Sequence, residues 1–196
     1  HVLYGPRKYQ GIGQTHPWNH QELTHLKDFV TQVTNQTTCG LRLQITAEQF
    51  KLETWYPGRF TDVPYSTLAP CTTDSWIKTF WQSCQAMEVS IEAPFGDLQL
   101  AREGDQFLMP AFVAKGYAPG KKDRDLLHLQ ACRMSIGATT LADLCTVKGD
   151  RIKEAAYNGT ELSSGTVRGY QWPRPPPFLP AEYWVTWQKA LGELFL

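Results

Sequence analysis

The sequence predicts a mainly α fold: a single helical domain with a few short strands and long Gly/Pro-rich loops. Three observations carry this. Apolar residues recur every three to four positions through most longer stretches, residues able to cap a helix precede several of them, and 15 glycines and 13 prolines punctuate the intervals. With 196 residues, 42% of them hydrophobic, the chain is long enough to bury a substantial core.

Residues 1–18 hold Gly5-Pro6, Gly11, Gly13 and His16-Pro17, which predicts a loop or extended segment. Asn19 and Glu22 have the form of a capping box, and Leu23, Leu26, Val30 and Val33 follow at helical spacing, so a helix is expected over 19–35. The stretch after Gly40 alternates like a strand through Leu41, Leu43 and Ile45, but its good helix formers favour a helix that Pro57-Gly58 ends. A long loop to Pro70 then holds Tyr56, Phe60 and Tyr65. Thr73 or Asp74 caps a helix whose Trp76, Ile77, Phe80, Trp81 and Cys84 form a heavy apolar face, the expected centre of the core. VSIEAP at 89–94 is short, β-branched and closed by proline, the best strand candidate in the first half.

Residues 102–115 repeat Phe107, Leu108, Ala111 and Phe112 helically, with Pro110 marking either a kink or an early helical position. Residues 121–136 and 139–145 form two further helices around a Gly137 break, the second capped by Thr139 or Thr140. That outline resembles a helix-turn-helix, yet the second element is barely two turns long and lacks base-reading side chains. The organisation expected is a helical domain over 1–156, with its N-terminal loop at 1–18, a Gly/Ser/Pro-rich strap over 157–180 and an aromatic helix over 181–196. The apolar C-terminal stretch suggests a chain cut short or a docking helix.

Nineteen cations balance nineteen carboxylates, so no global field draws the chain to nucleic acid or anionic lipid, and any such binding is local. No apolar run approaches the roughly 20 residues of a membrane span, which predicts a soluble protein with no membrane partner. The five cysteines are scattered and form no C-x-x-C, so free thiols in a reducing, intracellular compartment (cytoplasmic or nuclear) are expected. Sequons at Asn35 and Asn158 point the other way, but such short motifs arise by chance.

No arrangement of residues has the spacing of a familiar catalytic or metal site, and no cofactor is implied. The Gly5–Gly13 loop lacks the ending of a phosphate-binding loop, and His16, His20 and His25 are spaced too unevenly to converge on one ion. A rival reading makes the chain a metal-dependent enzyme. It uses either His1, whose amine and ring chelate copper if it is a processed terminus, or the sequence-distant carboxylates Glu92, Asp97, Glu103, Asp105, Asp143 and Asp150. Arg7 and Lys8 interleave with Tyr4 and Tyr9 on a loop, and Lys121, Lys122 and Arg124 form the densest positive cluster; Arg7, Lys8, Tyr9, Lys121, Lys122, Arg124 and Arg133 are the expected contacts to RNA or DNA. Trp172, Trp184, Trp187 and Leu191 are the candidates for docking on a protein partner, the other rival reading.

Several strings together, in order, resemble a known family: VLYGPRKYQGIG with THPWNHQ, DSWIKTFWQ, AREGDQFLMPAF, LQACRMSIGATTLADLCTVKGDRI, and QWPRPPP before YWVTWQKAL. They resemble the region following the reverse-transcriptase core in polymerase open reading frames of retroelements from microbial eukaryotes. Gln130-Ala131 before Cys132-Arg133, and Gly137-Ala138 after them, depart from the family pattern. The resemblance implies a thumb- or connection-like accessory segment beside a polymerase domain, handling nucleic acid without catalytic residues of its own.

Overall fold

The first helix starts where proline allows it to. In the computed structural model, which describes residues 3–4, 7–9, 13–56, 58–92, 100, 102–117, 123–160 and 178–195, α1 spans Pro17–Thr34. Pro17 occupies the first helical position, where a missing N–H costs nothing, and His16 Nδ1 accepts the Trp18 N–H at 3.2 Å. The expected Asn19–Glu22 capping box is therefore not the start: Asn19 is already in the first turn, and Glu22 faces inward and is buried.

Thr37 opens α2 (Thr38–Thr54). Its Oγ1 accepts the Gly40 N–H at 2.9 Å and donates to Gln32 Oε1 at 2.6 Å, tying the new helix to the last turn of α1. At Gly40 the two backbones approach so closely that a β-carbon would overlap the Gln32 carbonyl. Only glycine permits that crossing. Trp55, left-handed at φ 44°, ends α2.

The expected loop to Pro70 contains a 3-10 turn at Phe60–Asp62, a single helical turn α3 (Tyr65–Leu68) and another 3-10 turn at Ala69–Cys71. Then α4 (Trp76–Ala86) is capped by Ser75, whose Oγ accepts the Lys78 N–H. Of its expected apolar face, Ile77, Phe80, Trp81 and Cys84 are buried at the centre of an aromatic core, while Trp76 stacks on Phe80 at the edge and is 44% exposed. Phe80 lies 4.7 Å from Phe29, Trp81 lies 4.8 Å from Phe50 and 4.6 Å from Tyr65, and Trp81 Nε1 donates to the Val63 carbonyl at 2.9 Å. Those offsets and edges suit the ring quadrupoles, and the indole N–H keeps a partner inside.

The strand expected at 89–94 does not form over 89–92, and 93–94 lie outside the described residues. Ile91 is buried, but its N–H donates to Thr61 Oγ1 at 3.1 Å instead of a ladder carbonyl. A side chain 30 residues away has taken the strand partner's place. Among the described residues the only β pairings are two isolated bridges, Phe107 with Thr140 and Cys145 with Ile152.

Among the described residues the second half packs five more helices. Helix α5 (Leu108–Ala114) begins so close to Pro110 that the proline sits in its first turn and no kink is needed. Gly137, at φ 73°, follows α6 (Asp123–Ile136), and Thr140 with Asp143 forms the capping box of α7 (Leu141–Leu144). α8 (Glu154–Asn158) runs across the boundary expected at 156/157 between the helical domain and the strap. α9 (Ala181–Phe195) packs against α5, α6 and α8, and its Trp187, Ala190 and Leu191 join the same buried cluster as the aromatic core. The fold is mainly α, and no described helix is long and apolar enough to cross a membrane.

Candidate nucleic-acid interface

The N-terminal loop presents its basic and aromatic side chains outward. The Gln14 N–H donates to the Leu3 carbonyl at 3.1 Å, and the Tyr4 ring lies 4.7 Å from the His16 ring, so the loop closes onto the start of α1. Gly13 has φ 70°, and a β-carbon there would meet the Arg7 stem at 3.0 Å. Arg7, Lys8 and Tyr9 form a 3-10 turn in which nothing is buried. Tyr9 is 73% exposed, with Lys8 Nζ 4.8 Å from its ring centroid. Tyr4 and Trp18 are exposed as well.

Sequence reading placed Tyr4 on this loop and missed Trp18. Trp18 lies on the Glu22–Phe29–Val33 stripe of α1, but at the helix's first turn, where it is still 44% exposed.

The second basic cluster is only partly described. Arg124 is exposed on the first turn of α6, while Lys121 and Lys122 lie outside the described residues. Of the later cations, Lys153 Nζ donates to the Asp143 carbonyl at 2.8 Å, and Arg151 and Lys148 are exposed. A continuous basic strip therefore does not follow from these positions.

Arg133 corrects an expectation. It is 1% exposed and cannot reach a phosphate at the surface. Its Nε donates to Gln130 Oε1 at 2.8 Å and its Nη2 to the Glu53 carbonyl at 3.0 Å, while Gln130 Nε2 also donates to that carbonyl. The guanidinium lies 5.8 Å from the Trp55 ring centroid. The last carbonyls of a helix have no intrahelical partner, and the negative end of the α2 dipole favours a cation there. Burial disfavours the charged form and lowers the Arg133 pKa to about 9, leaving the group cationic at neutral pH. The sequence held a hint, since Arg133 stands seven residues after Leu126 and four after Leu129, on the buried stripe of α6.

The docking face is corrected in the same sense. Trp187 and Leu191 are fully buried within the chain itself, and Trp187 Nε1 donates to the Ala156 carbonyl at 2.9 Å. Trp184 is half-buried, its ring seated on Gly159 so closely that a β-carbon there would collide with it. The Tyr183 ring stacks on His128 at 3.8 Å. The aromatic face read as a partner surface is occupied by α6 and α8. Trp172 lies outside the described residues.

Among the described residues no group of three or more His, Cys, Asp or Glu is placed to hold a metal. The carboxylates have structural work: Asp143 Oδ2 accepts from the Thr139 and Thr140 N–H groups, Asp105 Oδ1 from those of Gln106 and Ala142, and Glu92 pairs with Arg59 at 2.7 Å. His1 and Asp97 lie outside the described residues. The cysteines are all unpaired; burial pushes the thiols of Cys71 and Cys132 up to about 12 and Cys84 to about 11, away from nucleophilic use.

Neither a protein-family model, nor a curated protein, nor a solved structure matches this chain.

Proposed function

We propose that this chain is a non-catalytic, intracellular accessory domain that contacts nucleic acid through its N-terminal loop, beside a polymerase domain of the kind its sequence resembles. One observation carries the reading: Arg7, Lys8 and Tyr9 stand together on an exposed turn, flanked by exposed Tyr4 and Trp18. Cations meet the phosphates and rings meet the bases. Arg124 is the one other described residue of the expected set at the surface, and Arg133 belongs to the interior.

The test is titration of the purified chain into labelled single strand, duplex and RNA–DNA hybrid over a salt series. Few contacts are available, so the expected loss is shallow, a log–log slope of about −0.7 to −0.9 per phosphate neutralised. Absence of binding at low salt to all three forms would sink the reading.

A further inference from the structure

We infer that the ligand of the N-terminal loop is a single strand, bound by one base stacking on Tyr9 with its flanking phosphates at Lys8 and Arg7. This rests on the proposed nucleic-acid contact and narrows it to one form.

The local charge is the first argument. Residues 1–21 contain Arg7 and Lys8 and no Asp or Glu, although the whole chain is formally neutral. The first acid, Glu22, is buried and lies 4.0 Å from His25. The first turn of α1 carries no carboxylate, so the positive end of its dipole adds to the two side-chain cations. The charge carried by this stretch of sequence therefore favours an anion.

Ring exposure is the second. A tyrosine held 73% exposed loses the apolar burial that aromatic side chains usually gain. The Lys8 ammonium, 4.8 Å from the ring centroid, leaves most of the ring accessible. The ring and the cation beside it form a small platform for a planar group attached to a phosphate.

A duplex would leave the ring of this turn unused. In a duplex the base faces are hidden in the stack, so Tyr9 would gain nothing, and only the cations would touch the backbone. The residues assigned to the contact, Arg7–Tyr9, form a three-residue turn and not a groove-reading helix. A single strand exposes both a π-face and a phosphate to the same loop.

The measurement is fluorescence-anisotropy binding of the full chain to a labelled oligo(dT), to a duplex and to an RNA–DNA hybrid of equal length. Wild type is compared with Tyr9→Ala, Tyr9→Phe and Lys8→Gln. The inference expects the single strand to bind at least about tenfold tighter than either paired form. Tyr9→Ala should lose about tenfold on the single strand alone, Tyr9→Phe should retain binding, and Lys8→Gln should flatten the salt slope by about 0.7. Equal affinity for all forms, with Tyr9→Ala silent, would overturn the single-strand assignment while leaving nucleic-acid binding standing. No binding to any form would overturn both. Vesicles containing anionic lipid are the remaining arm: uptake that exceeds oligonucleotide binding at the same salt, and is lost in Tyr9→Ala, would reassign the loop to a membrane surface. All three substitutions sit on an exposed turn, and unchanged circular dichroism would confirm that folding is intact.

Discussion

Two regions of this molecule set basic groups beside aromatic rings, and they do opposite things with them. At the N-terminal loop, Lys8 lies over Tyr9 with both side chains exposed. Inside, Arg133 lies against Trp55 with its donors spent on Gln130 and on the end of α2. What separates them is the backbone nearby. A helix terminus with unpaired carbonyls takes the cation in, because burying those carbonyls unpaired costs about 1–3 kcal/mol each. The side chains of the turn at Arg7–Tyr9 remain at the surface. A basic-aromatic pair in a sequence is therefore ambiguous until the helix ends that compete for it are known.

The interior side of the comparison gives the largest expected effects. Trp187→Ala removes a fully buried ring and its bond to the Ala156 carbonyl, and should cost about 3–5 kcal/mol in urea unfolding. A cost below about 1 kcal/mol would mean that α9 is not part of the folded core. Arg133→Ala leaves the buried Gln130 amide oxygen without its donor and the Glu53 carbonyl with Gln130 Nε2 alone, for an expected loss of about 1–3 kcal/mol, with oligonucleotide affinity per folded molecule unchanged. Weaker binding by the folded variant would return Arg133 to the nucleic-acid contacts. Gly159→Ala places a β-carbon in the Trp184 ring at a residue with φ 73°, and should cost about 1–3 kcal/mol by thermal unfolding.

A smaller, pH-dependent effect follows from the buried thiols. Their folded pKa values, about 11 to 12, lie above the ordinary 9. Their contribution is fully present below pH 9 and is lost as pH rises from 9 through 11–12, because the unfolded chain ionises first. Burial also raises Tyr117, which acts in the same direction from about pH 10. Arg133 opposes them, since a depressed cation gains stability over that range. Three thiols and a phenol outweigh one guanidinium, so urea midpoints should fall above pH 9; a flat profile to pH 11 would show that these thiols are not buried. On the exposed loop, Lys8→Ala and Tyr9→Ala should each change stability by less than about 0.5 kcal/mol.

The same contrast explains how much was legible in the sequence. The face of α4 was readable because Trp76, Ile77, Phe80, Trp81 and Cys84 repeat at helical spacing, and that periodicity is local. The apolar face of α9 was readable too, but not what covers it, since α6 and α8 approach it from distant parts of the chain. Arg133 stood on an apolar stripe, yet the carbonyl it caps belongs to a residue 80 positions earlier. The β-branched stretch at 89–94 failed as a strand for a related reason: its backbone found the Thr61 hydroxyl, a partner no propensity encodes. Arg7, Lys8 and Tyr9 were located correctly on a loop because punctuation by glycine and proline is also local. Tyr4 was readable with them, whereas the exposure of Trp18 required the structure.

The most direct test is hydrogen–deuterium exchange of the chain with and without a saturating single-stranded oligonucleotide. The expected result is protection confined to residues 3–20, with α6 and α9 unchanged. Protection centred on α6 or α9, with the loop untouched, would contradict the assignment of the basic and aromatic loop as the contact surface.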